Sequence, residues 1–335
     1  MPITRRAALA GAASLSVARP ALGQGAKTVT ITRQPSIIYM PGILMERTGL
    51  VEAQAKALSL PPLATKWVTF NGGGAATDAL LAGGVDVVNT GAGNMLLLWD
   101  RTRGRVKGIV ATCSQPLILV SRESRIQSIE DFRPTDKIAV PTVKISTQAI
   151  LLQIASVERW GKDAAFRLDP NTVQLGHPDA LAAMLNANGE IGSHFAAPPF
   201  HLEELKRVPG AHVVTDSGRI LGEPLSQAVM FTTTQYAEAN PGVVTALRAA
   251  TEKAIAMIRD DTREAAKIYL AASNDPTPED VFLDILRQPG MLDFVAQPQG
   301  TYRFARHLAQ TGVIKTEPKS WTEYFLPAAA DLKGS

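Results

Sequence analysis

The hydrophobic positions of the first 112 residues alternate between short strand-like runs and segments with helical spacing. Val29 and Ile31 share one face of the first run, because side chains alternate along a strand. Strands are predicted at 27–32, 66–70, 85–89 and 106–112. Helices are predicted at 41–47, 76–82 and 95–101. This rhythm predicts a mainly parallel sheet with helices on both faces.

A second series of strands and helices begins at residue 117. Its strands are predicted at 117–121, 137–140, 172–175 and 190–195. Its long helices are predicted at 147–160 and 178–186. Ser128 and Asp131 have capping-box spacing, which predicts one further short helix. The repeated rhythm predicts a second α/β unit of similar design.

The remainder of the chain is predicted to be helical after a strand at 227–232. Helices are predicted at 243–258, 262–272, 281–287 and 302–310. Asn240 before Pro241 is typical of an N-cap followed by proline at the first helical position, and Thr277 before Pro278 repeats the pattern. No low-complexity linker divides the sequence.

Length and charge narrow the range of functions. The chain has 335 residues and 45% hydrophobic content, enough for two globular domains. Its net charge of +3 depends on Arg5, Arg6 and Arg19. Without these three, 31 basic residues balance 31 acidic ones. A neutral chain offers no electrostatic footprint for nucleic acid or an anionic membrane, so neither partner is expected.

Residues 1–23 have the order of a secretory signal. Arg5 and Arg6 precede an apolar stretch over 7–18, and Ala21 and Gly23 are the small residues that cleavage requires. The arginine pair predicts the twin-arginine route, which exports folded proteins. We therefore expect a periplasmic protein released by cleavage after Gly23. An N-terminal amphipathic helix of the fold is the alternative.

Several motifs, taken in order, resemble one family. They are residues 80–87, 128–132, 137–141, 240–241, 311–314 and 320–325. Together they resemble the nitrate/sulfonate/taurine class of ABC-transporter substrate-binding proteins, which have the type II periplasmic-binding fold. Gly192 departs from the pattern, because an aspartate is usual at that position. The floor of the second lobe is therefore less well defined by the resemblance.

The resemblance implies an α/β fold of two doubly wound lobes joined by two crossing segments, with a helical C-terminal part. Lobe one would comprise 27–114 and 225–335, and lobe two 115–224. A small-molecule ligand would be clamped between them and delivered to an ABC transporter permease. A monomer without cofactor or resident metal is expected.

Ligands of open α/β sheets bind where strands end and helices begin, because helix N-termini offer free N–H groups and partial positive charge. Eleven candidate binding residues lie in such loops, namely Gln34, Ser36, Asn71, Gly72, Gly73, Gly74, Thr90, Gly91, Asn94, Ser146 and Thr147. Each also has a structural interpretation as a turn, a flexible glycine or a helix cap. The glycine loop lacks the Lys-Ser/Thr of a nucleotide P-loop, so nucleotide binding is not expected.

Three further side chains are candidates from their predicted positions. Tyr39 could form an apolar wall of the cleft, although core packing is the commoner role for such a residue. His194 and Phe195 close a predicted strand and are expected to face the cleft. Arg33 could supply a guanidinium, but strand alternation could equally turn it to solvent.

The expected function is capture of a small organic anion, a sulfonate or carboxylate, without catalysis. Nitrate and neutral pyrimidines would also fit two lobes that offer N–H donors. The alternatives are a cleft enzyme that uses Cys113, the only cysteine, or a module that signals ligand binding to a receptor. Catalysis by Cys113 would need a histidine base within reach, and no spacing in the sequence requires one.

Overall fold

The computed structural model describes residues 27–275 and 277–335, so the predicted signal peptide lies outside the described residues. Ten strands in this part of the chain form two five-stranded sheets. The strands are β1 Lys27–Arg33, β2 Leu63–Thr69, β3 Val87–Gly91, β4 Val106–Cys113, β5 Ile118–Ser121, β6 Lys137–Val140, β7 Thr172–Gln174, β8 Ile191–Ala196, β9 His212–Asp216 and β10 Ala228–Thr233.

Thirteen α-helices in the described ranges surround these sheets. They are α1 Met40–Thr48, α2 Leu50–Ala57, α3 Gly73–Leu81, α4 Ala92–Arg101, α5 Thr147–Trp160, α6 His177–Leu185, α7 Phe200–Arg207, α8 Ser217–Leu221, α9 Thr234–Ala239, α10 Pro241–Asp260, α11 Thr262–Ser273, α12 Glu279–Leu286 and α13 Thr301–Gln310. None of these helices is long and apolar enough to cross a membrane.

Both sheets are mainly parallel, as predicted, but each contains one strand of opposite direction, which was not predicted. The first has the order β2-β1-β3-β10-β4, and the second β7-β6-β8-β5-β9. In the first, β1 is parallel to β2 and β3, whereas β10 is antiparallel to β3 and β4. In the second, β6 is parallel to β7 and β8, whereas β5 is antiparallel to β8 and β9. The reversed strand of the first sheet, β10, joins it only after the chain has formed the second sheet.

Two segments connect the sheets. One follows Cys113 and the other precedes Ala228. They lie side by side, since the amide of Gln227 donates to the carbonyl of Cys113 at 3.0 Å and the hydroxyls of Ser114 and Ser226 are 3.2 Å apart. The two connections therefore lie next to each other. The lobe boundaries inferred from the family resemblance stay a prediction.

Several local predictions need correction. Five elements were not predicted, namely α2, α7, α8, α9 and β9. The helix α2 was missed because Gly49, at φ 61°, is both the C-cap of α1 and the N-cap of α2, whereas a glycine here usually indicates only the end of a helix. Asn240 lies at the N-cap of α10 but makes no capping bond, because its amide oxygen accepts from Lys27 Nζ. Pro278, not Thr277, is the N-cap of α12.

Candidate functional site

A cavity lies between the two sheets, where strands end and helices begin. The space open to the centres of water molecules is about 30 Å³. That is room for about two waters, so the cleft is nearly closed. The lining residues are Gln34, Pro35, Ile38, Tyr39, Asn71, Gly73, Thr90, Gly91, Asn94, Leu117, Pro141, Ser146, Thr147, Gln148, His177 and Gln227.

Four of the described helices begin at this cavity: α3, α4, α5 and α6. The N-caps of α3, α4 and α6 are Gly72, Gly91 and Gly176, which have no side chain to cap the first amides. At α5, Ser146 Oγ accepts from the Ala149 amide at 3.3 Å. The first turns of these helices direct N–H groups and partial positive charge towards one small space. Such a convergence favours a bound anion.

Gly73 allows α3 to approach the end of β3. A β-carbon at this position would lie 2.4 Å from Thr90 Oγ1 and 2.8 Å from Asn94 Oδ1, closer than real contacts permit. The glycine therefore does more than provide flexibility, because its missing side chain lets three elements meet at the cavity.

Three buried polar atoms of the lining have no hydrogen-bond partner within the described part of the chain. They are Asn94 Nδ2, Thr147 Oγ1 and Gln227 Oε1. Their residues are only 2%, 2% and 3% exposed. Leaving such a group unpaired costs about 1–3 kcal/mol, so native proteins rarely do so without a ligand or an ordered water. The cavity therefore offers free hydrogen-bonding atoms to a polar ligand.

The cavity has no formal charge of its own. None of the described lining residues is Lys, Arg, Asp or Glu. Arg33 lies outside the lining and forms an ion pair with Glu46, while its Nε donates to Thr69 Oγ1 at 2.9 Å. Any positive potential in the cavity must come from helix ends and N–H dipoles.

A buried network fixes the wall on the side of the first sheet. Gln34 Nε2 donates to Thr90 Oγ1 at 2.7 Å and lies 3.1 Å from Tyr39 Oη. Burial raises the pKa of Tyr39 far above its usual value, so its hydroxyl stays neutral. These contacts hold the aromatic ring and the end of β3 in fixed positions.

The structure brings nine of the fourteen predicted site residues together in the described lining. They are Gln34, Tyr39, Asn71, Gly73, Thr90, Gly91, Asn94, Ser146 and Thr147. Ser36, Gly72 and Gly74 lie instead where residues around the first sheet contact residues around the second. Ser36 Oγ donates to the Pro198 carbonyl at 2.5 Å, and a β-carbon on Gly72 would lie 3.3 Å from the Pro141 carbonyl oxygen.

His194 and Phe195 are both fully buried and neither lines the cavity. Adjacent strand residues point to opposite faces, so they could not both face the cleft. Phe195 belongs to the main core, and His194 contacts His177, which does line the cavity.

Sequence reasoning missed three polar lining residues. Gln148 follows Thr147 in the first turn of α5, and His177 is the first residue of α6 after β7. Both lie at a strand-to-helix junction, so the rule applied to the other loops would have found them. Gln227 precedes β10, and it reaches the cavity because that strand runs antiparallel to β3.

A chain of buried side chains leads away from His177. Its Nδ1 lies 2.9 Å from His194 Nε2, and His194 Nδ1 lies 2.5 Å from Glu204 Oε1. Burial lowers the pKa of His194 to about 3 and that of His177 well below its usual value. Burial raises the pKa of the Glu204 carboxyl to about 8. At neutral pH all three groups are therefore uncharged.

Cys113 is buried beside the crossing segments. Its Sγ accepts from the Gln115 amide at 3.3 Å and lies 4.0 Å from Gln227 Nε2. Burial raises the pKa of the thiol well above its usual value, which opposes formation of the nucleophilic thiolate. Within the described residues, the contacts of Cys113 include no histidine or other base that the enzyme alternative requires.

No family model and no curated protein matches the chain. Several solved structures match the chain. The periplasmic aliphatic sulphonate binding protein SsuA from Escherichia coli is 19% identical, with a TM-score of 0.65 over 89% of this chain and 97% of that chain. The alkanesulfonate-binding protein SsuA from Xanthomonas axonopodis pv. citri, bound to MOPS, is 18% identical, with a TM-score of 0.67 over 87% and 95%.

A further match is the periplasmic nitrate-binding protein NrtA from Synechocystis PCC 6803. It is 14% identical, with a TM-score of 0.55 over 73% of this chain and 66% of that chain. At such identities the likeness establishes the fold. The predicted α/β periplasmic-binding-protein architecture is confirmed.

Proposed function

We propose that this chain is a periplasmic solute-binding protein that captures a small organic anion, a sulfonate or carboxylate, for delivery to an ABC importer. The observation that carries the proposal is the convergence of four helix N-termini and the unpartnered Asn94 Nδ2 and Thr147 Oγ1 on one uncharged cavity. Helix ends and N–H dipoles can hold an anion without a cationic side chain. The sulfonate- and nitrate-binding proteins of the same fold lend support.

The size of the cavity restricts the ligand in the closed state. About 30 Å³ admits a group of a few heavy atoms. A ligand with a longer tail would require the two sides to part further. Entry of any ligand requires opening, because Pro198 receives hydrogen bonds from both the Ser36 hydroxyl and the Ile37 amide. Closure around the ligand would create the shape that a permease recognises.

A thermal-shift comparison of charged and neutral isosteres tests the proposal. Acetate is paired with acetamide, and methanesulfonate with dimethyl sulfone; nitrate completes the set. Stabilisation by the anions alone is the expected result, amounting to about 2.7 kcal/mol at a hundred times Kd. Equal responses to both members of each pair, or none to the anions, would refute anion capture.

A matched pair of variants locates the binding. Thr147→Val removes an unpartnered buried hydroxyl, so it should stabilise the free protein slightly while weakening anion binding about tenfold. Thr245→Val makes the same change at an exposed position of α10 and should leave binding unaltered. Transport of the responding anion by vesicles that contain the partner permease then tests delivery.

A further inference from the structure

His177, His194 and Glu204 form a hydrogen-bonded chain from the cavity into the protein. His177 is 8% exposed and lies at the cavity, whereas His194 and Glu204 are 0% exposed. The His177 ring stacks on Phe200 with centroids 5.5 Å apart, which fixes its orientation. Its remaining nitrogen, Nε2, lies 3.3 Å from Gln148 Nε2, another lining group.

One hydrogen must lie between the two histidine rings, because Nδ1 of His177 and Nε2 of His194 form a hydrogen bond with each other. If that hydrogen belongs to His194, His177 carries its own hydrogen on Nε2 and donates into the cavity. If it belongs to His177, Nε2 offers a lone pair that accepts from Gln148. In the first arrangement His177 Nε2 is a hydrogen-bond donor to the cavity, and in the second it is an acceptor.

The proton count at Glu204 selects between these arrangements. A protonated carboxyl donates to His194 Nδ1, which forces the hydrogen of His194 onto Nε2 and that of His177 onto Nε2 as well. Transfer of the additional proton to His194 leaves the same hydrogen on His177. An ionised carboxylate accepts from His194 Nδ1 and reverses both bonds.

We propose that His177 contacts the bound anion through an N–H at Nε2, and that Glu204, acting through His194, is the positioning residue that keeps the hydrogen there. The inference rests on the proposed function and specifies how its ligand is recognised. With the hydrogen on Nε2, the His177 and Gln148 donors meet an anion together. Without it, Gln148 donates one of its hydrogens to His177 Nε2, and the anion meets a histidine lone pair in place of a donor.

Few other charged groups lie near Glu204, so its hydrogen bond to His194 is the main influence on its ionisation. The charged and titratable groups of the elements packed around it are His177 and Asp179 on α6, His194 on β8, and His201, Glu203, Lys206 and Arg207 on α7. The strand β5 carries none. Asp179, Lys206 and Arg207 are exposed, and Glu203 pairs with Arg207 at 3.3 Å. The second carboxyl oxygen of Glu204 has no partner among the described residues, which favours the protonated form.

Nitrogen NMR of the ligand-free protein tests the inference directly. Histidine labelled with ¹⁵N reports which ring nitrogen carries hydrogen, and the signals missing from His177→Gln assign that residue. We expect hydrogen on Nε2 of His177 at pH 6.5 and on Nδ1 at pH 9.5. Glu204→Gln has nearly the same shape but cannot titrate, so His177 should show one state at both pH values. Glu203→Gln, one residue away, should behave as wild type.

Binding of methanesulfonate supplies the second readout. Its Kd should rise about 30-fold between pH 6.5 and 9.5, in proportion to the loss of the protonated form of a group with a pKa of about 8. It should stay constant in Glu204→Gln. A wild-type tautomer that does not change, or a change that persists in Glu204→Gln, would overturn the inference. Absence of methanesulfonate binding with the tautomer change intact would instead reject the proposed ligand class.

Discussion

Gly91 and Thr147 face each other across the cavity so closely that a β-carbon on Gly91 would lie 2.9 Å from Thr147 Oγ1. Gly91 ends β3 of the first sheet, and Thr147 begins α5 beside the second. The backbone of Gly91 has φ −58° and ψ 141°, which any residue can adopt. Its side chain is therefore excluded by the opposite side of the cleft and not by its own conformation.

Gly91→Ala should consequently impair closure and leave folding intact. We expect affinity for the responding anion to fall at least about tenfold, because the closed state must accommodate a contact below 3.0 Å. Calorimetric titration measures the change. Gly84→Ala is the control, since a β-carbon there meets its nearest neighbour at 3.5 Å and lies outside the cavity. An unchanged Kd in Gly91→Ala would show that binding does not require the closed approach.

Asn94→Asp tests the sign of the ligand charge. The change keeps the shape of a 2% exposed side chain and places a carboxyl where an unpartnered amide nitrogen lies. Repulsion in a buried site should weaken anion binding by at least about a hundredfold. Asn188→Asp, at an exposed turn, should have no effect. Unchanged or tighter binding of the anion by Asn94→Asp would contradict this prediction.

Cys113→Ala separates the binding function from the enzyme alternative. The thiol is 0% exposed, and burial raises its pKa. We expect the variant to lose about 1 kcal/mol of stability and to bind the anion within about twofold of wild type. The wild-type thiol should react with a disulfide reagent only after unfolding. Rapid labelling of the folded protein, or abolished ligand turnover in the variant, would revive a catalytic role.

Glu204 should make stability depend on pH near neutrality. Its pKa is about 8 in the folded protein and about 4.3 in an unfolded chain. The folded state therefore holds one more proton between these values, and raising the pH through this range favours unfolding. Between pH 6.5 and 8 the free energy of unfolding of the wild type should therefore fall by about 1–2 kcal/mol relative to that of Glu204→Gln.

Urea unfolding at several pH values measures this change. Glu203→Gln should follow the wild type, and Glu204→Gln should differ from both by this amount. The histidines act on the acid side, because burial lowers the pKa of His194 to about 3 and that of His201 to about 4. Their contribution is lost as the pH falls from about 6.5 to about 4. The same change in the wild type and in Glu204→Gln between pH 6.5 and 8 would contradict the assignment.

The fold and most of the lining were predictable because they depend on local rules. Strand ends followed by glycine or small polar residues identified the loops that contain Gly73, Asn94 and Thr147. The direction of β10 was not predictable, since hydrophobic periodicity does not record whether a strand is parallel or antiparallel to its neighbours. That direction brings Gln227 to the cavity.

The hydrogen bonds that join His177, His194 and Glu204 could not be predicted, for a different reason. His194 was expected to face the cleft from its place at a strand end. Which face of β8 points there depends on the packing of α6 and α7, and α7 was itself not predicted. The position of Glu204 beside His194 therefore emerges only from the three-dimensional arrangement.

The most direct test of the central claim is a crystal structure of the protein grown with methanesulfonate at a concentration that saturates the thermal shift. The account predicts methanesulfonate in the cavity between the sheets, with sulfonate oxygens within hydrogen-bond distance of Asn94 Nδ2, Thr147 Oγ1 and His177 Nε2. A cavity that holds only water, with methanesulfonate bound elsewhere on the protein, would contradict it.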